Sequence, residues 1–259
     1  MQAVDWDEVR ERTIALYARR GMDAGGQSGL PPALSEAQVQ QVEQQFGITF
    51  PDAYRQYLLR VSAGGRVRTL QFDGERWGWE GARHADHAKL HVPFPDHDTA
   101  LAASEEVWEK EPKREDYAST AAYQADHDAW REAADAAEDA RACGAASLHD
   151  DGCGFYTLLV MSGPMRGTMW FDGRATCDRL NPLLNDARQP ARFAEWYLDW
   201  LAHEEPLTTS GQRRAAHQSW RMGWTRPSGC AGSIHKPVIP AARRDLACEA
   251  RCGHVDNQR

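Results

Sequence analysis

A cluster of reactive side chains lies just before the most apolar stretch of the chain. Its members are His149, Asp150, Asp151 and Cys153. A cysteine near a histidine and a carboxylate is the residue set of a thiol nucleophile with its base, so catalysis is one hypothesis for this cluster. Gly152 and Gly154 flank the cysteine, and small residues are typical of a backbone that enters a crowded sheet. We therefore favour a structural turn at residues 152–154, with catalysis and partner contact as the alternatives.

Histidines and aspartates are concentrated between residues 84 and 98, where they offer ligand types that suit zinc. They are His84, His87, His91, His97, Asp86, Asp96 and Asp98. Their spacing matches no metal-binding motif, and Pro93 and Pro95 argue against regular structure. The chain also lacks the glycine-rich phosphate loop and the dinucleotide fingerprint in a proper context. We predict a solvated loop here, and no metal or cofactor is expected.

The last part of the chain, residues 206–259, differs from the rest in charge. It contains nine lysines and arginines and three acidic residues, a charge of +6, which leaves −14 on residues 1–205. Four prolines and few aliphatic residues predict a disordered basic extension, because such a segment cannot offset its chain entropy. Arginines with Trp220 and Trp224 suit contact with nucleic acid, which is one alternative. The other is a loose resemblance to a zinc ribbon, carried by Cys230, Cys248, Cys252 and His254.

Length and composition favour one sizeable globular domain over residues 1–205. The 259-residue chain is 42% hydrophobic and 26% charged, which is ample for a buried core. Its most apolar stretch, residues 155–161, has seven residues including one threonine, whereas a membrane helix needs roughly 20 apolar residues. The acidic N-terminus is unlike a secretory signal, so we expect a cytoplasmic protein with reduced cysteines and no membrane contact.

Two short helices are defined by their ends. Ser35 and Gln38 form a predicted capping box that begins the first helix, and Gly47 supplies the left-handed residue that ends it. Pro51 suits the first position of the next helix, which we expect to continue to the glycine pair at 64–65. The apolar face of this second helix consists of Tyr54, Tyr57, Leu58 and Val61.

The periodicity changes to that of strands after residue 66. Asp73 with Gly74 predicts a hairpin turn, and Trp77 and Trp79 share one face, where they are either core residues or partner anchors. A later stretch predicts an antiparallel meander. Its strands are expected at residues 155–161, 168–171 and 174–177. The turns between these strands are marked by Gly163, Gly167, Asp172 and Gly173.

Three further helical segments complete the pattern. The first is expected over residues 5–20. Residues 98–142 are rich in alanine, glutamate and aspartate, which predicts an exposed acidic helical insertion. A last helix over residues 190–203 carries an aromatic stripe that must cover a sheet, and Trp170 is expected in the same core. The residues of the stripe are Phe193, Trp196, Tyr197, Trp200 and Leu201.

Two ordered blocks of sequence resemble one known family. The first is LSEAQVQQVEQQFGITFPDAYRQYLLRVSAGG at residues 34–65, an acidic helix ending at a glycine and a proline-led aromatic helix ending at a glycine pair. The second is HDDGCGFYTLLVMSGPMRGTMWFDGRA at residues 149–175, followed by FAEWYLDWL at 193–201. Together they resemble the SUKH superfamily of Smi/Knr-type domains. The structural positions of this motif are Gly47, Pro51, Tyr54, Leu58, Gly64, Gly65, Gly152, Cys153, Gly154, Gly163, Gly167, Trp170, Phe193, Trp196 and Trp200.

The resemblance implies an α+β fold in which helices pack against an antiparallel or mixed β-sheet. The acidic helical insertion and the basic tail depart from the family pattern. The resemblance also implies binding, because the superfamily includes bacterial immunity proteins that neutralise toxins, often nucleases or deaminases. A fungal regulator of cell-wall synthesis belongs to it as well, so the fold alone does not determine the function. No catalytic residues are expected under this resemblance.

The charge of residues 1–205 favours a cationic partner, although the same acidity also keeps a protein soluble. We predict a non-enzymatic protein-binding module, an immunity protein that neutralises a polymorphic toxin domain. The alternatives are a regulatory scaffold that binds endogenous proteins and a thiol- or metal-dependent hydrolase. Contact with nucleic acid is expected at most through the tail. The predicted partner-binding residues are Asp73, Glu75, Asp150, Asp151 and Asp172, with Trp77 and Trp79.

Overall fold

The computed structural model describes residues 4–20, 29–82, 87–177 and 179–205. They form an α+β fold in which helices pack against a four-stranded antiparallel sheet, as predicted. His84, Asp86 and the tail at 206–259, for which predictions were made, lie outside the described residues.

The helices are α1 (Trp6–Arg19), α2 (Glu36–Phe46), α3 (Asp52–Arg60), α4 (His97–Trp108), α5 (Thr120–Ala140), α6 (Arg174–Cys177) and α7 (Phe193–Glu204). A 3-10 turn at Arg114–Asp116 lies between α4 and α5. The strands are β1 (Leu70–Phe72), β2 (Trp77–Trp79), β3 (Ala145–Gly152), β4 (Phe155–Val160), β5 (Met169–Asp172) and β6 (Leu180–Pro182). In this described part of the chain, no helix has both the length and the apolar character that crossing a membrane requires.

The ends of α1 and α2 follow from local capping. The Asp5 carboxylate accepts hydrogen bonds from two backbone N–H groups in the first turn of α1, which have no partner within the helix. The side chains of Ser35 and Gln38 each accept a bond from the other residue's backbone N–H, so the predicted capping box is confirmed. Gly47 has φ 65°, the left-handed conformation, and α2 ends there as predicted.

Helix α3 differs from the prediction at both ends. Pro51 is the residue before the helix rather than its first residue, and α3 ends at Arg60, short of the glycine pair at 64–65. After Arg60 the chain leaves the helical path, because the Ser62 hydroxyl donates a hydrogen bond of 2.6 Å to the carbonyl of Pro31. This contact ties the end of α3 to the segment that precedes α2.

An aromatic cluster joins α1, α3 and α7. The ring centroid of Phe193 lies 5.1 Å from that of Tyr54, 5.4 Å from that of Tyr57 and 6.4 Å from that of Trp6. Tyr197, one turn further along α7, lies 4.8 Å from Tyr57. All of these side chains are buried. The predicted aromatic stripe of α7 therefore belongs to the core, where it packs against helices as well as against the sheet.

The sheet has the strand order β3–β4–β5–β6, and every neighbouring pair is antiparallel. Because successive side chains point to opposite faces, β4 supplies Leu159 to the helical core and Leu158 and Val160 to a second cluster. Trp170 of β5 and Phe94 belong to that second cluster, with ring centroids 4.9 Å apart. The predictions that β4 is apolar on both faces and that Trp170 is buried are confirmed.

Two elements near the sheet differ from the sequence-based expectation. Residues 145–152 form strand β3, which pairs with β4, although their polar second half gives no strand signal. Residues 174–177 form helix α6, so the strand predicted there is wrong, and the strand that pairs with β5 is β6. The cause is local, because the Asp172 carboxylate accepts bonds from the N–H and the guanidinium of Arg174, at 3.1 and 2.9 Å.

Helices α4 and α5 form the predicted exposed insertion. Ser104 and Ala134 are the buried residues of these two helices. Trp108 and Trp130 hold the helices together, with ring centroids 5.1 Å apart and an interplanar angle of 83°. The guanidinium of Arg174 donates to a backbone carbonyl near the end of α5. The insertion is thus attached to the sheet region by a side-chain contact as well as by the chain.

Gly144 connects α5 to β3 with φ 71°, and a Cβ there would lie 2.2 Å from the carbonyl oxygen of Val92. We expect Gly144→Ala to lower the free energy of unfolding by about 3 kcal/mol, since left-handed strain and overpacking add. Gly152→Ala is the matched control, because Gly152 has φ 81° with no atom within 4 Å of its Cβ position. Gly152→Ala should lower the free energy of unfolding by about 1 kcal/mol, as measured by urea denaturation. Equal losses for the two variants would contradict the steric argument.

Candidate functional site

An open groove of about 400 Å³ lies between the C-terminal ends of α1 and α7, the loop after α3 and strand β3. We call it the Arg66 groove. Its cationic and aromatic lining consists of Tyr17, Arg20, Arg66, Arg68, His149 and Trp200. Its acidic lining consists of Glu80, Asp150 and Glu204. The groove therefore brings opposite charges together beside aromatic rings.

The path of the loop after α3 places its arginines in the groove. Gly65 has φ 91°, and a Cβ there would lie 2.6 Å from a methyl group of Leu30, so glycine is required. The backbone N–H of Arg68 donates to the carbonyl of Leu148 at 2.6 Å. This bond ties the loop to β3 and fixes the width of the groove.

Arg66 is held by two tryptophans of α7. Its guanidinium carbon lies 5.6 Å from the ring centroid of Trp196 and 5.7 Å from that of Trp200, within the range of cation–π attraction. Its Nη1 donates a hydrogen bond of 2.8 Å to Nε2 of His149. Burial lowers the pKa of Arg66, and nearby carboxylates act in the opposite direction. Because arginine stays charged even so, packing fixes a cation in a poorly hydrated place.

The same hydrogen bond determines the protonation state of His149. An arginine has donors and no acceptor, so Nε2 of His149 accepts the bond and the ring is neutral, with its proton on Nδ1. Burial and the charge of Arg66 lower the pKa of His149, while Asp151, 3.9 Å from Nε2, acts in the opposite direction. Neither ring nitrogen therefore offers the free lone pair that a general base needs.

The other two arginines of the groove have carboxylate partners. Arg20 forms an ion pair with Glu204 of α7. Arg68 lies 3.5 Å from the Asp150 carboxylate, and its guanidinium carbon is 5.2 Å from the ring centroid of Tyr156. These pairs join α1 to α7 and the loop after α3 to β3. They stabilise the rim of the groove.

Gly65, His149, Asp150 and Trp200 of this groove lie within the sequence blocks described above, whereas its residues from α1 and from the loop at 66–69 lie outside them. A family model described as the SMI1 / KNR4 family (SUKH-1) matches residues 33–171, more than half of the chain. The chain belongs to the SMI1 / KNR4 family (SUKH-1). The predicted resemblance to the SUKH superfamily is confirmed. No curated protein and no solved structure matches the chain.

SUKH-1 membership indicates the general kind of function. Domains of this family are generally non-enzymatic binding domains, and the family is associated with immunity-protein-like modules. The match ends at residue 171, before α7. The Arg66 groove therefore combines residues of the SUKH-1 match, such as Arg66 and His149, with Trp200 from beyond it.

Cys153 of this SUKH-1 chain occupies the tip of the β3–β4 hairpin. Gly152, Cys153 and Gly154 have φ of 81°, 55° and 79°, so the predicted turn at 152–154 is confirmed. The thiol is exposed there, whereas the His149 ring is bonded to Arg66 in the groove. The geometry gives the histidine no free lone pair with which to activate the thiol, so it supports the turn rather than the nucleophile.

Four of the predicted acidic partner contacts are exposed at the ends of the two hairpins of the SUKH-1 chain. They are Asp73, Glu75, Asp150 and Asp151. Their contact with a partner stays a prediction. Asp172 differs, because it is buried and its carboxylate lies 2.8 Å from the guanidinium of Arg174. The prediction that Asp172 is an exposed contact is therefore wrong, since the start of α6 covers it.

Trp77 and Trp79 are core residues, the first of the two alternatives. Trp77 is 6% exposed and Trp79 is 3% exposed. Trp79 stacks on Phe46 with ring centroids 5.3 Å apart, and its Nε1 donates to the Tyr54 hydroxyl at 2.8 Å. The β1–β2 hairpin therefore uses its tryptophans to attach itself to α2 and α3, and they are not surface anchors for a partner.

The histidines between residues 87 and 97 do not form one solvated loop. His87 is buried, with ring centroids 5.3 Å from Phe46 and 5.1 Å from Trp79. His91 is exposed, and His97 begins α4. The loop prediction is wrong for His87 and His97, because aromatic packing and helix formation separate them. Among the described residues, no three histidine, cysteine, aspartate or glutamate side chains are grouped to hold a metal ion.

Arg66 and Arg68 are not among the site residues predicted from the sequence. The available signal is weak, since it consists of two arginines at alternate positions just after the glycine pair at 64–65. The tryptophans at positions i and i+4 of the last helix are a second signal, but their spacing indicates a buried face. Only the tertiary fold brings these arginines and tryptophans together.

The lowered pKa of His149 predicts a pH dependence of stability. Because its folded-state pKa lies below the ordinary value of 6.5, the unfolded chain takes up this proton first as the pH falls. The free energy of unfolding should therefore decrease as the pH drops through 6.5, and His149→Gln should make that decrease smaller in urea titrations. His91→Gln, at an exposed position, should keep the wild-type slope. A His149→Gln protein with the wild-type slope would show that another group is responsible.

Proposed function

We propose that this chain is a non-enzymatic protein-binding module of the immunity type, which neutralises a basic toxin domain by covering it. Membership of SUKH-1 supports the general class. The observation that carries the proposal is the exposed acidic surface of the α4–α5 insertion. A nuclease or deaminase is basic where it contacts nucleic acid, and an acidic surface on a fixed frame is complementary to it.

The negative charge of the chain is concentrated in this insertion. Residues 97–141 contain thirteen acidic residues and five lysines and arginines, a net charge of −8, out of −14 for residues 1–205. The exposed carboxylates of α5 include those of Asp126, Asp128, Glu132 and Asp135. Because like charges at this density repel one another, an approaching cationic surface relieves the repulsion and is attracted over a distance.

The insertion holds these carboxylates on an ordered frame. The indole N–H of Trp130 donates to the carbonyl of Val107 at 2.9 Å. The Ser104 hydroxyl donates to the Glu138 carboxylate, and the Nη1 of Arg141, a residue 1% exposed, donates to it at 3.0 Å. Since α5 is already ordered, less conformational entropy is lost on binding than a disordered acidic segment would lose.

Coexpression tests the proposal directly. The chain is expressed with candidate toxin domains encoded next to it, and growth and complex formation are measured. We expect restored growth and a stable complex with a basic toxin domain. Replacing three carboxylates, Asp128→Lys, Glu132→Lys and Asp135→Lys, should lower the association rate constant about 10- to 100-fold at low salt in surface plasmon resonance. The loss should shrink at high salt.

A matched control variant changes the net charge by the same amount outside the insertion. It carries Glu11→Lys, Asp186→Lys and Asp199→Lys, all at exposed positions. This variant should keep most of the wild-type association rate constant. Equal losses in both variants would mean that overall charge, and not the insertion, attracts the partner. Protection without a complex, or a stable complex with a housekeeping protein in place of a toxin, would overturn the immunity role.

If binding alone neutralises the toxin, the exposed thiol at the β3–β4 turn is dispensable. Cys153→Ala should protect growth as well as the wild type does and should leave Kd unchanged within about twofold, because Gly152 and Gly154 still form the turn. Calorimetric titration with the toxin domain measures Kd. Lost protection in a variant that still folds and binds would indicate chemistry at Cys153 and would refute the non-enzymatic role.

A further inference from the structure

We propose that the Arg66 groove binds a carboxylate group supplied by the protein partner. This inference rests on the proposed function insofar as a partner brings the carboxylate. The site itself is made by this chain alone and is separate from the acidic insertion. It depends on Arg66, the arginine of the groove that forms no direct ion pair with a carboxylate among the described residues.

The three arginines of the groove differ in how their charges are balanced. Arg20 is paired with Glu204, and Arg68 with Asp150. The described partners of Arg66 are instead the His149 ring and the Trp196 and Trp200 rings. Its Nε is buried and has no hydrogen-bond acceptor among the described residues. The carboxylates of Asp151 and Glu204 lie near enough to favour its charge, but no ion pair joins either of them to Arg66 among the described residues. An incoming anion can therefore supply the direct, charge-assisted hydrogen bonds that this partly desolvated cation does not make within the chain.

His149 cannot supply the missing negative charge. Its ring is neutral while Nε2 accepts the bond from Nη1 of Arg66, so the positive charge of the pair is not reduced. The hydrogen bond instead fixes the direction of the guanidinium, and the two tryptophans fix its plane. A binding group that is already oriented loses little conformational entropy when a ligand arrives.

The remaining lining of the groove selects the kind of anion. Glu80, Asp150 and Glu204 carry negative charge beside Arg66, and they repel a doubly charged phosphate more strongly than a singly charged carboxylate. A planar carboxylate also matches the planar donor arrangement of a guanidinium. A volume of about 400 Å³ admits an aspartate or glutamate side chain from a partner's loop.

This site adds specificity to the proposed function. Any basic protein is attracted to the acidic insertion, whereas a partner that also presents one acidic side chain opposite Arg66 gains a second, directional contact. A like-charged side chain at that position would be repelled by Arg66. Acidic and basic contacts on one protein surface therefore favour one docking orientation over others.

The experiment uses the full chain with isotope-labelled nitrogen and three small probes at constant ionic strength. The probes are N-acetylglutamate methylamide, its glutamine counterpart and inorganic phosphate. Heteronuclear NMR spectra report the Nε–H of Arg66. We expect the glutamate probe to shift this resonance saturably, the glutamine probe to leave it unchanged, and phosphate to bind more weakly than the glutamate probe.

Arginine variants then test whether Arg66 is the binding group. Arg66→Gln should weaken binding of the glutamate probe about tenfold or more, since charge-assisted hydrogen bonds are lost. Because this variant has no Arg66 Nε–H, its binding is measured from the backbone amide resonances of the other groove residues. Arg76→Gln removes an exposed arginine on the β1–β2 hairpin and should leave binding unchanged. If Arg66→Gln fails to fold, Arg66→Lys keeps the charge without the planar donors and should still bind several-fold more weakly than the wild type.

Three results would overturn the inference. They are the absence of a saturable shift at Arg66, equal shifts with the glutamate and glutamine probes, and tighter binding of phosphate than of the glutamate probe. None of these measurements needs a toxin. A failure here therefore leaves the immunity proposal standing, and a failure to find a toxin complex leaves the carboxylate site standing.

Discussion

The contact of Phe193 with the helices around it joins the two layers of the molecule. Its ring is fully buried and lies against Trp6, Tyr54 and Tyr57, which belong to α1 and α3. Its backbone N–H donates to the carbonyl of Gly167 at 3.1 Å, just before β5. Helix α7 therefore begins at a point where both the helical layer and the sheet hold it, and its remaining side chains are positioned from there.

The same helix serves the core and the groove. Tyr197 faces inward, where its hydroxyl lies 3.1 Å from the Thr13 hydroxyl of α1. Trp196 and Trp200 hold the guanidinium of Arg66. Because both sets belong to one rigid helix, the position of Arg66 is determined by core packing rather than by a flexible surface side chain. The groove thus has the fixed geometry that directional recognition needs, although α7 lies beyond the residues that match the family.

Sequence reasoning succeeds where the cause of a feature is local. The bounds of α2 follow from Ser35 and Gly47, and the helical period of the last segment identifies its buried stripe. It fails where distant residues decide the outcome. Strand β3 forms because it pairs with β4, and its polar second half carries no sequence pattern that predicts a strand. The contact between Arg66 and Trp196 joins residues that are far apart in the sequence, and no local pattern encodes it.

The two proposals assign separate electrostatic roles to the acidic insertion and to Arg66. The −8 charge of residues 97–141 acts over distances comparable to the Debye length, about 8 Å at physiological salt, so it affects chiefly the rate of encounter. Arg66 acts within hydrogen-bond distance in a partly desolvated groove, where salt screens much less, so it affects chiefly the rate of dissociation. The two proposals together call for a partner that is basic over a wide area and acidic at one point. Under the two proposals, this requirement disfavours cationic proteins that lack the acidic residue, because specificity is a difference of affinities between partners.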